Sequence, residues 1–221
     1  MRYVGPRHYV IDGAPTPCPH WEPDQSLRDQ VVAIVGSGPQ LETFDLSLLK
    51  GRRFIVVNSG CRRLRSIATD QDILYFTDNA WNENRPELAK SWPGPVITAN
   101  RNVKARLQDA VRYIDVIGLT AWMEAFPDHA QASSGHVAAC LAARMGARKI
   151  VLVAFECQPA AGRTHGHADY TQSDLSAFTD RFIPGWVGLA KNFARKGVEV
   201  ANATQGSAIP AYPVVDLAEA F

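Results

Sequence analysis

From Val31 onward, short apolar runs rich in β-branched residues alternate with polar or helix-forming stretches, the rhythm of a buried and mostly parallel sheet. Runs at residues 31–35, 54–58, 73–77, 95–98, 114–117, 150–155 and 198–202 predict seven strands. Helices are expected between them at residues 41–49, 103–113, 135–145 and 175–196, the last with a break near Pro184-Gly185. Gly146 and Gly197 stand where a helix C-cap takes a positive φ. This order predicts an α/β fold, a Rossmann-like open, mostly parallel sheet with helices on both faces, in one domain over residues 30–221.

Residues 1–29 break the rhythm. Pro6, Pro15, Pro17, Pro19 and Pro23, with Tyr3, Tyr9 and Trp21 among them, forbid a long helix and predict an arm. It either packs through its aromatics across the domain or a neighbouring subunit, or is an extension without function.

Composition narrows the function classes. The 221 residues suit one α/β domain, and 46% hydrophobic with 20% charged residues is an ordinary globular balance. With 23 basic and 22 acidic side chains, the net charge of +1 does not pull the chain toward nucleic acid or an anionic membrane. Nucleic acid as an acceptor stays open, with Arg52-Arg53 and Arg62, Arg63 and Arg65 as local basic groups. No stretch approaches the roughly 18 consecutive apolar residues that span a bilayer, and the opening residues do not read as a secretory leader, so a cytoplasmic location is expected. Cys18, Cys61, Cys140 and Cys157 form no C-x-x-C pair and read as reduced thiols, Cys140 in the core and Cys61 and Cys157 within reach of a ligand.

The first chemistry-bearing feature is the apolar strand that runs into Gly36-Ser37-Gly38-Pro39-Gln40-Leu41. Its glycines allow close backbone approach, Pro39 suits a first helical turn, and free amides there attract an anion. Leu41 stands where a dinucleotide fingerprint needs its third glycine, and no Gly-Lys-Ser/Thr follows, so neither NAD nor Walker-type chemistry is indicated.

The cumulative signal is stronger. Predicted strands end in Gly36-Ser37-Gly38, Asn58-Ser59, Thr77-Asp78, Thr98-Ala99-Asn100 and Glu156, and in an open parallel sheet these ends share one edge, where ligands bind. Ser133-Ser134-Gly135-His136 opens an alanine-rich helix, offering a cap and further amide donors to a phosphate or carboxylate. His165, His167 and Asp169 alternate in a glycine-flanked loop, which puts them on one side of an extended segment. They could hold a divalent metal or place a general base; an acid/base or leaving-group role is favoured.

These motifs resemble a known group. Gly36-Ser37-Gly38-Pro39-Gln40-Leu41, Asn58-Ser59 and Asp78 are similar to the G-x-G-P-S-L pattern of the bacterial sialyltransferase-like fold, with Gln40 in place of its serine. Ser134-Gly135, the run Met145 to Ile150, Phe155-Glu156, Thr164-His165 and the ending Asn202 to Ile209 resemble phage and prophage proteins related to the 6-hydroxymethylpterin diphosphokinases. The resemblance implies a small-molecule, nucleotide-type ligand and a transferase, first a glycosyltransferase using a nucleotide sugar. There Gly36, Ser37, Gly38, Ser134 and Gly135 would hold phosphates, Asn58, Ser59 and Asp78 the ribose, base or sugar hydroxyls, and His165 would be the base or acid. Two alternatives stand beside it. One is a diphosphokinase using ATP, with Mg²⁺ held by Asp78, Glu156 or Asp169; the other is a non-catalytic nucleotide-binding phage protein. Metal dependence and oligomeric state are left open.

Overall fold

In the computed structural model, which describes residues 8–11, 14–17, 20–124, 132–160, 162–167, 169 and 174–221, six of the seven apolar runs become strands of one parallel sheet, which has seven strands in all. From the N-terminal region, β1 (His8–Ile11) and β2 (Ala14–Pro17) pair antiparallel as a separate hairpin. The main sheet comprises β3 (Val31–Val35), β4 (Arg53–Val57), β5 (Ile73–Phe76), β6 (Val96–Thr98), β7 (Arg112–Tyr113), β8 (Lys149–Val153) and β9 (Glu199–Asn202). Their spatial order is β7-β6-β5-β4-β3-β8-β9, and every neighbouring pair is parallel.

Alternation along each strand feeds two cores. Val32 and Ile34, Ile55 and Val57, and Ile150 and Leu152 point to one face, where α5 (Val116–Trp122), α6 (Ser134–Arg144) and α7 (Ile183–Arg195) cover them. Ala33 and Val35, Phe54 and Val56, and Val151 and Val153 point to the other, under α1 (Cys61–Leu64), α2 (Asn79–Asn84), α3 (Pro86–Lys90) and α4 (Arg101–Leu107). The α/β reading with helices on both faces therefore holds. Among the described residues no helix is long and apolar enough to cross a membrane.

Several expected elements differ. The strand expected at 114–117 is Arg112–Tyr113, because a helix that buries Leu119 starts at Val116, directly after Asp115 at its N-cap position. The helix expected at 41–49 is two 3₁₀ turns, Pro39–Glu42 and Leu46–Leu49; the Asp45 carboxylate accepts from Ser47 N (3.0 Å) and restarts the chain between them. The helix expected at 103–113 starts earlier, where Asn100 Oδ1 accepts from the amides of Asn102 and Val103. It ends at Leu107 and passes into a 3₁₀ turn, releasing Tyr113 to the sheet. Pro184 does not break the last helix: it sits in the first turn of α7, behind a π-helical turn at Phe178–Phe182. Gly146 and Gly197 have φ of 94° and 69°, as their C-cap positions require. Cys18 lies outside the described residues; Cys61 and Cys140 are buried.

The strand order places the site. From β3 the chain steps outward through β4, β5, β6 and β7, then returns through α6 to β8 on the other side of β3. Connections leave β3 and β8 in opposite directions, and a crevice opens beyond their carboxyl ends.

Candidate active site

A cavity of about 540 Å³ fills that crevice. Gly36, Ser37 and Gly38 come to it from the end of β3, Asn58 from β4, Asp78 from β5, and Glu156 from β8. Ser134 and Gly135 enter from the start of α6, and His165 from the loop after β8. Three other predicted site residues, Ser59, His167 and Asp169, stand behind this wall rather than in it. Cys157 lines the cavity and Cys61 does not.

The glycine turn is shaped by its neighbours in the protein. A Cβ on Gly38 would lie 1.7 Å from Glu156 Oε2 and 2.7 Å from the Ala154 carbonyl; one on Gly36 would lie 2.6 Å from that same carbonyl. The amide of Gly38 donates to Ala154 O (3.2 Å), and the amide of Gln40 donates to the Glu156 carboxylate. Here the expectation of free amides needs correction: a protein carboxylate already occupies the start of the Pro39–Glu42 turn. Burial raises the Glu156 pKa, and the Gln40 amide works against that rise. Gly38→Ala should therefore cost folding stability, about 1–3 kcal/mol as for other overpacked sites, because the Ala154 carbonyl cannot swing away as a side chain can. Urea denaturation checks this; an unchanged midpoint would show the turn to be looser than described.

The start of α6 offers what the turn does not. Ser133 caps it, its Oγ accepting from His136 N (3.4 Å) while its own amide donates to His136 Nδ1 (3.1 Å). Ser134 and Gly135, first in the helix, have amides without an intrahelical acceptor, at the positive end of the helix dipole. Gly135 has no room for a side chain, since a Cβ would sit 2.4 Å from the Phe155 ring. His136 is fully buried, with Nε2 3.0 Å from Phe182 O, and burial depresses its pKa to about 3. A neutral ring with Nδ1 accepting and Nε2 donating satisfies both contacts.

Backbone strain gathers at this cavity. Asn58, Ala154 and Cys157, all in its wall, have φ of 51°, 58° and 50°. Such conformations persist only where surroundings over-determine them. For the Ala154–Cys157 segment the Asn202–Ile209 region supplies that constraint: Thr204 Oγ1 accepts from Phe155 N (2.9 Å), Ser207 Oγ donates to Phe155 O (2.6 Å), and Ala208 N donates to Glu156 O (2.8 Å). Burial pushes the Cys157 thiol up to about 12, so it is a protonated wall residue rather than a nucleophile.

The histidine loop is fastened to the glycine turn by Gly166, whose amide donates to Ser37 O (2.8 Å) and whose absent side chain clears Gly38 O. His165 faces the cavity half-buried, and burial lowers its pKa below the ordinary 6.5. It is therefore neutral at pH 7 and able to accept a proton. Asp169 is buried away from the cavity against Ser59 Oγ, Arg62 (3.0 Å) and Arg85 (3.1 Å). Its burial would raise its pKa, but Ser59, Arg62, His167 and Arg85 together hold it below the usual carboxylate value. Asp169 thus stands apart from Asp78 and Glu156, which line the cavity, and among the described residues no group of three or more His, Cys, Asp or Glu side chains is placed to hold a metal ion.

Sequence reading missed the far wall. Phe155, Phe178, Phe182 and Trp186 form an aromatic side, and Arg181 joins them with its guanidinium 4.7 Å from the Phe182 ring centroid. The only trace in the sequence was the cluster Phe178, Arg181, Phe182 ahead of Pro184 in a run otherwise read as plain helix.

No protein-family model and no curated protein sequence matches the chain. Solved structures do. The monofunctional α-2,3-sialyltransferase Cst-I from Campylobacter jejuni aligns over 86% of this chain and 82% of its own, with a TM-score of 0.60 at 12% identity. The sialyltransferase CstII, bound to a trisaccharide acceptor and CMP, aligns over 87% and 89% with a TM-score of 0.56 at 12% identity. CstII from Campylobacter jejuni bound to the substrate analogue CMP-3FNeuAc aligns over 87% and 88%, with a TM-score of 0.53 at 12% identity. The fold of this chain is sialyltransferase-like.

Proposed function

We propose that the chain is a glycosyltransferase that draws its sugar from a nucleotide-activated donor held in the β3/β8 cavity. The observation that carries this reading is the meeting, in one cavity at the topological switch point, of the α6 N-terminus, two strand-end polar side chains and a neutral histidine. Structures with this fold that hold CMP together with a trisaccharide acceptor, or the substrate analogue CMP-3FNeuAc, add support for a nucleotide-sugar donor.

In this mechanism the donor phosphate lies at the amides of Ser134 and Gly135, since Glu156 already occupies the corresponding place at the glycine turn. Asn58 and Asp78 hydrogen-bond ribose, base or sugar hydroxyls. His165 takes the proton from the acceptor hydroxyl as its oxygen bonds to the anomeric carbon. The bond from that carbon to the phosphate oxygen breaks, and the nucleotide leaves with the electron pair. Among the described residues no three His, Cys, Asp or Glu side chains are placed together to hold a metal ion, and these steps run through the chain's own residues alone.

A donor panel led by CMP-activated sugars, assayed for nucleotide release with and without simple glycoside acceptors, tests the reading. Release that rises with acceptor supports it; no release from any nucleotide sugar would overturn it.

A further inference from the structure

We propose that His167 and Asp169, although outside the cavity, are positioning residues that hold the imidazole of His165 against the reacting groups. This rests on His165 being the base of the proposed transferase.

The three side chains form a graded support that runs from the core outward to the cavity edge. Asp169 is its anchor: its carboxylate receives hydrogen bonds from Ser59 Oγ, from Arg62 on α1 (3.0 Å) and from Arg85 (3.1 Å). Ser59 is itself buried and accepts from Trp81 Nε1 (2.7 Å), so the anchor reaches α2 and the core beneath it. The backbone amide of Asp169 then donates to His167 Nδ1 (3.2 Å). His167 stacks on His165, ring centroids 5.5 Å apart and planes 23° from parallel. On the other flank Gly166 pins the loop to Ser37 O. His165 is therefore held both through its chain neighbour and through its ring face.

The chemistry of the middle residue fits support rather than proton transfer. His167 Nδ1 lies 3.8 Å from Asp169 Oδ2, but it already accepts the Asp169 amide proton and has none to offer the carboxylate. His167 is thus a neutral ring with its proton on Nε2. Burial, and next the proximity of His165, lower its pKa to about 4, with Asp169 opposing and Arg62 adding to the shift. Two stacked rings can both stay neutral at working pH, which leaves His165 free to take the acceptor's proton. Were the inner ring charged, each proton gained by His165 would meet a like charge one ring away.

The test uses the whole 221-residue chain and two readouts. In ¹⁵N-histidine NMR titrations, the His165 pKa should lie below 6.5 in the wild type, where burial lowers it; in His167→Ala it should move up toward the ordinary value as solvent reaches the ring. In His167→Phe, which keeps the stack without a titratable nitrogen, it should stay low. With a nucleotide sugar that turns over, His167→Ala should lose about 10–100-fold in kcat with donor KM within twofold, as for a base displaced by about an ångström. His167→Phe should recover most of that loss, and His167→Ala combined with Asp169→Ala should be no worse than the poorer single variant. An unchanged His165 titration in His167→Ala overturns the proposal. So does a His167→Phe variant as impaired as His167→Ala, which would assign His167 a role through its nitrogens. His165→Ala separates the two levels: wild-type turnover in that variant removes the base and this inference with it. Loss there without loss in the His167 variants removes the positioning role alone.

Discussion

Replacing His165 by alanine is expected to lower kcat about 10²–10⁴-fold, the range for a lost acid/base group and about 2.7–5.4 kcal/mol of barrier. Donor affinity should hardly change, because the amides of α6 and the side chains of Asn58 and Asp78 stay in place. The wild-type pH profile carries the same information. Burial lowers the His165 pKa, so the base is already deprotonated at neutral pH, and kcat should rise through an inflection below pH 6.5 to a plateau. Single-turnover kinetics separates this from a binding defect. A His165→Ala enzyme with full kcat, or one whose loss is entirely in donor KM, would show that the ring binds rather than catalyses.

The second large effect concerns acid. His136 and His167 have folded pKa values near 3 and 4, against about 6.5 in an unfolded chain. Below pH 6.5 the unfolded chain binds protons at both positions that the folded protein refuses, so stability must fall as pH falls. The slope approaches about 1.4 kcal/mol per pH unit for each histidine well below pH 6.5, or roughly 3 kcal/mol for the pair between pH 6.5 and 5. Both rings are well buried, with His136 fully enclosed and the His167 side chain 11% exposed, so solvent does little to weaken the effect. His165 acts in the same direction. Glu156 acts in the opposite one: its raised pKa lets the folded protein take a proton first, which offsets part of the slope above pH 4.5. Against a total stability of about 5–15 kcal/mol for a domain, the net loss is large. Urea midpoints measured from pH 7.5 to 5 should fall steadily; a flat line would mean that the histidines are solvated or charged in the folded state.

The sheet was legible because its signal is simple. Six of the seven apolar runs, bounded by glycine and polar residues, became strands, and the carboxyl ends of four of them carry Gly36, Asn58, Asp78 and Glu156 to the cavity. Short helices were not legible. Cys61–Leu64 is a single turn, and Asp45 splits an apolar stretch into two 3₁₀ turns through one side-chain hydrogen bond, which periodicity does not register. The glycine turn illustrates a subtler failure. Its composition predicted an anion site, but the anion it meets is Glu156, 116 positions away in the chain. No local pattern carries that pairing. The same holds for His167 and Asp169: their alternation with His165 suggested one shared surface, whereas Arg62, Arg85 and Ser59 draw Asp169 inward and leave His165 alone at the cavity.

Thermal unfolding with the nucleotide-sugar panel, on the wild type and on Asn58→Ala, bears most directly on the claim that the β3/β8 cavity holds a nucleotide-activated donor. At a hundred times its Kd a true donor adds about 2.7 kcal/mol. For a domain of this size that raises Tm by roughly 5–10 °C. Such a shift is expected for at least one nucleotide sugar, and a smaller one in Asn58→Ala. No shift with any of them, or a shift of equal size in the variant, would contradict that claim.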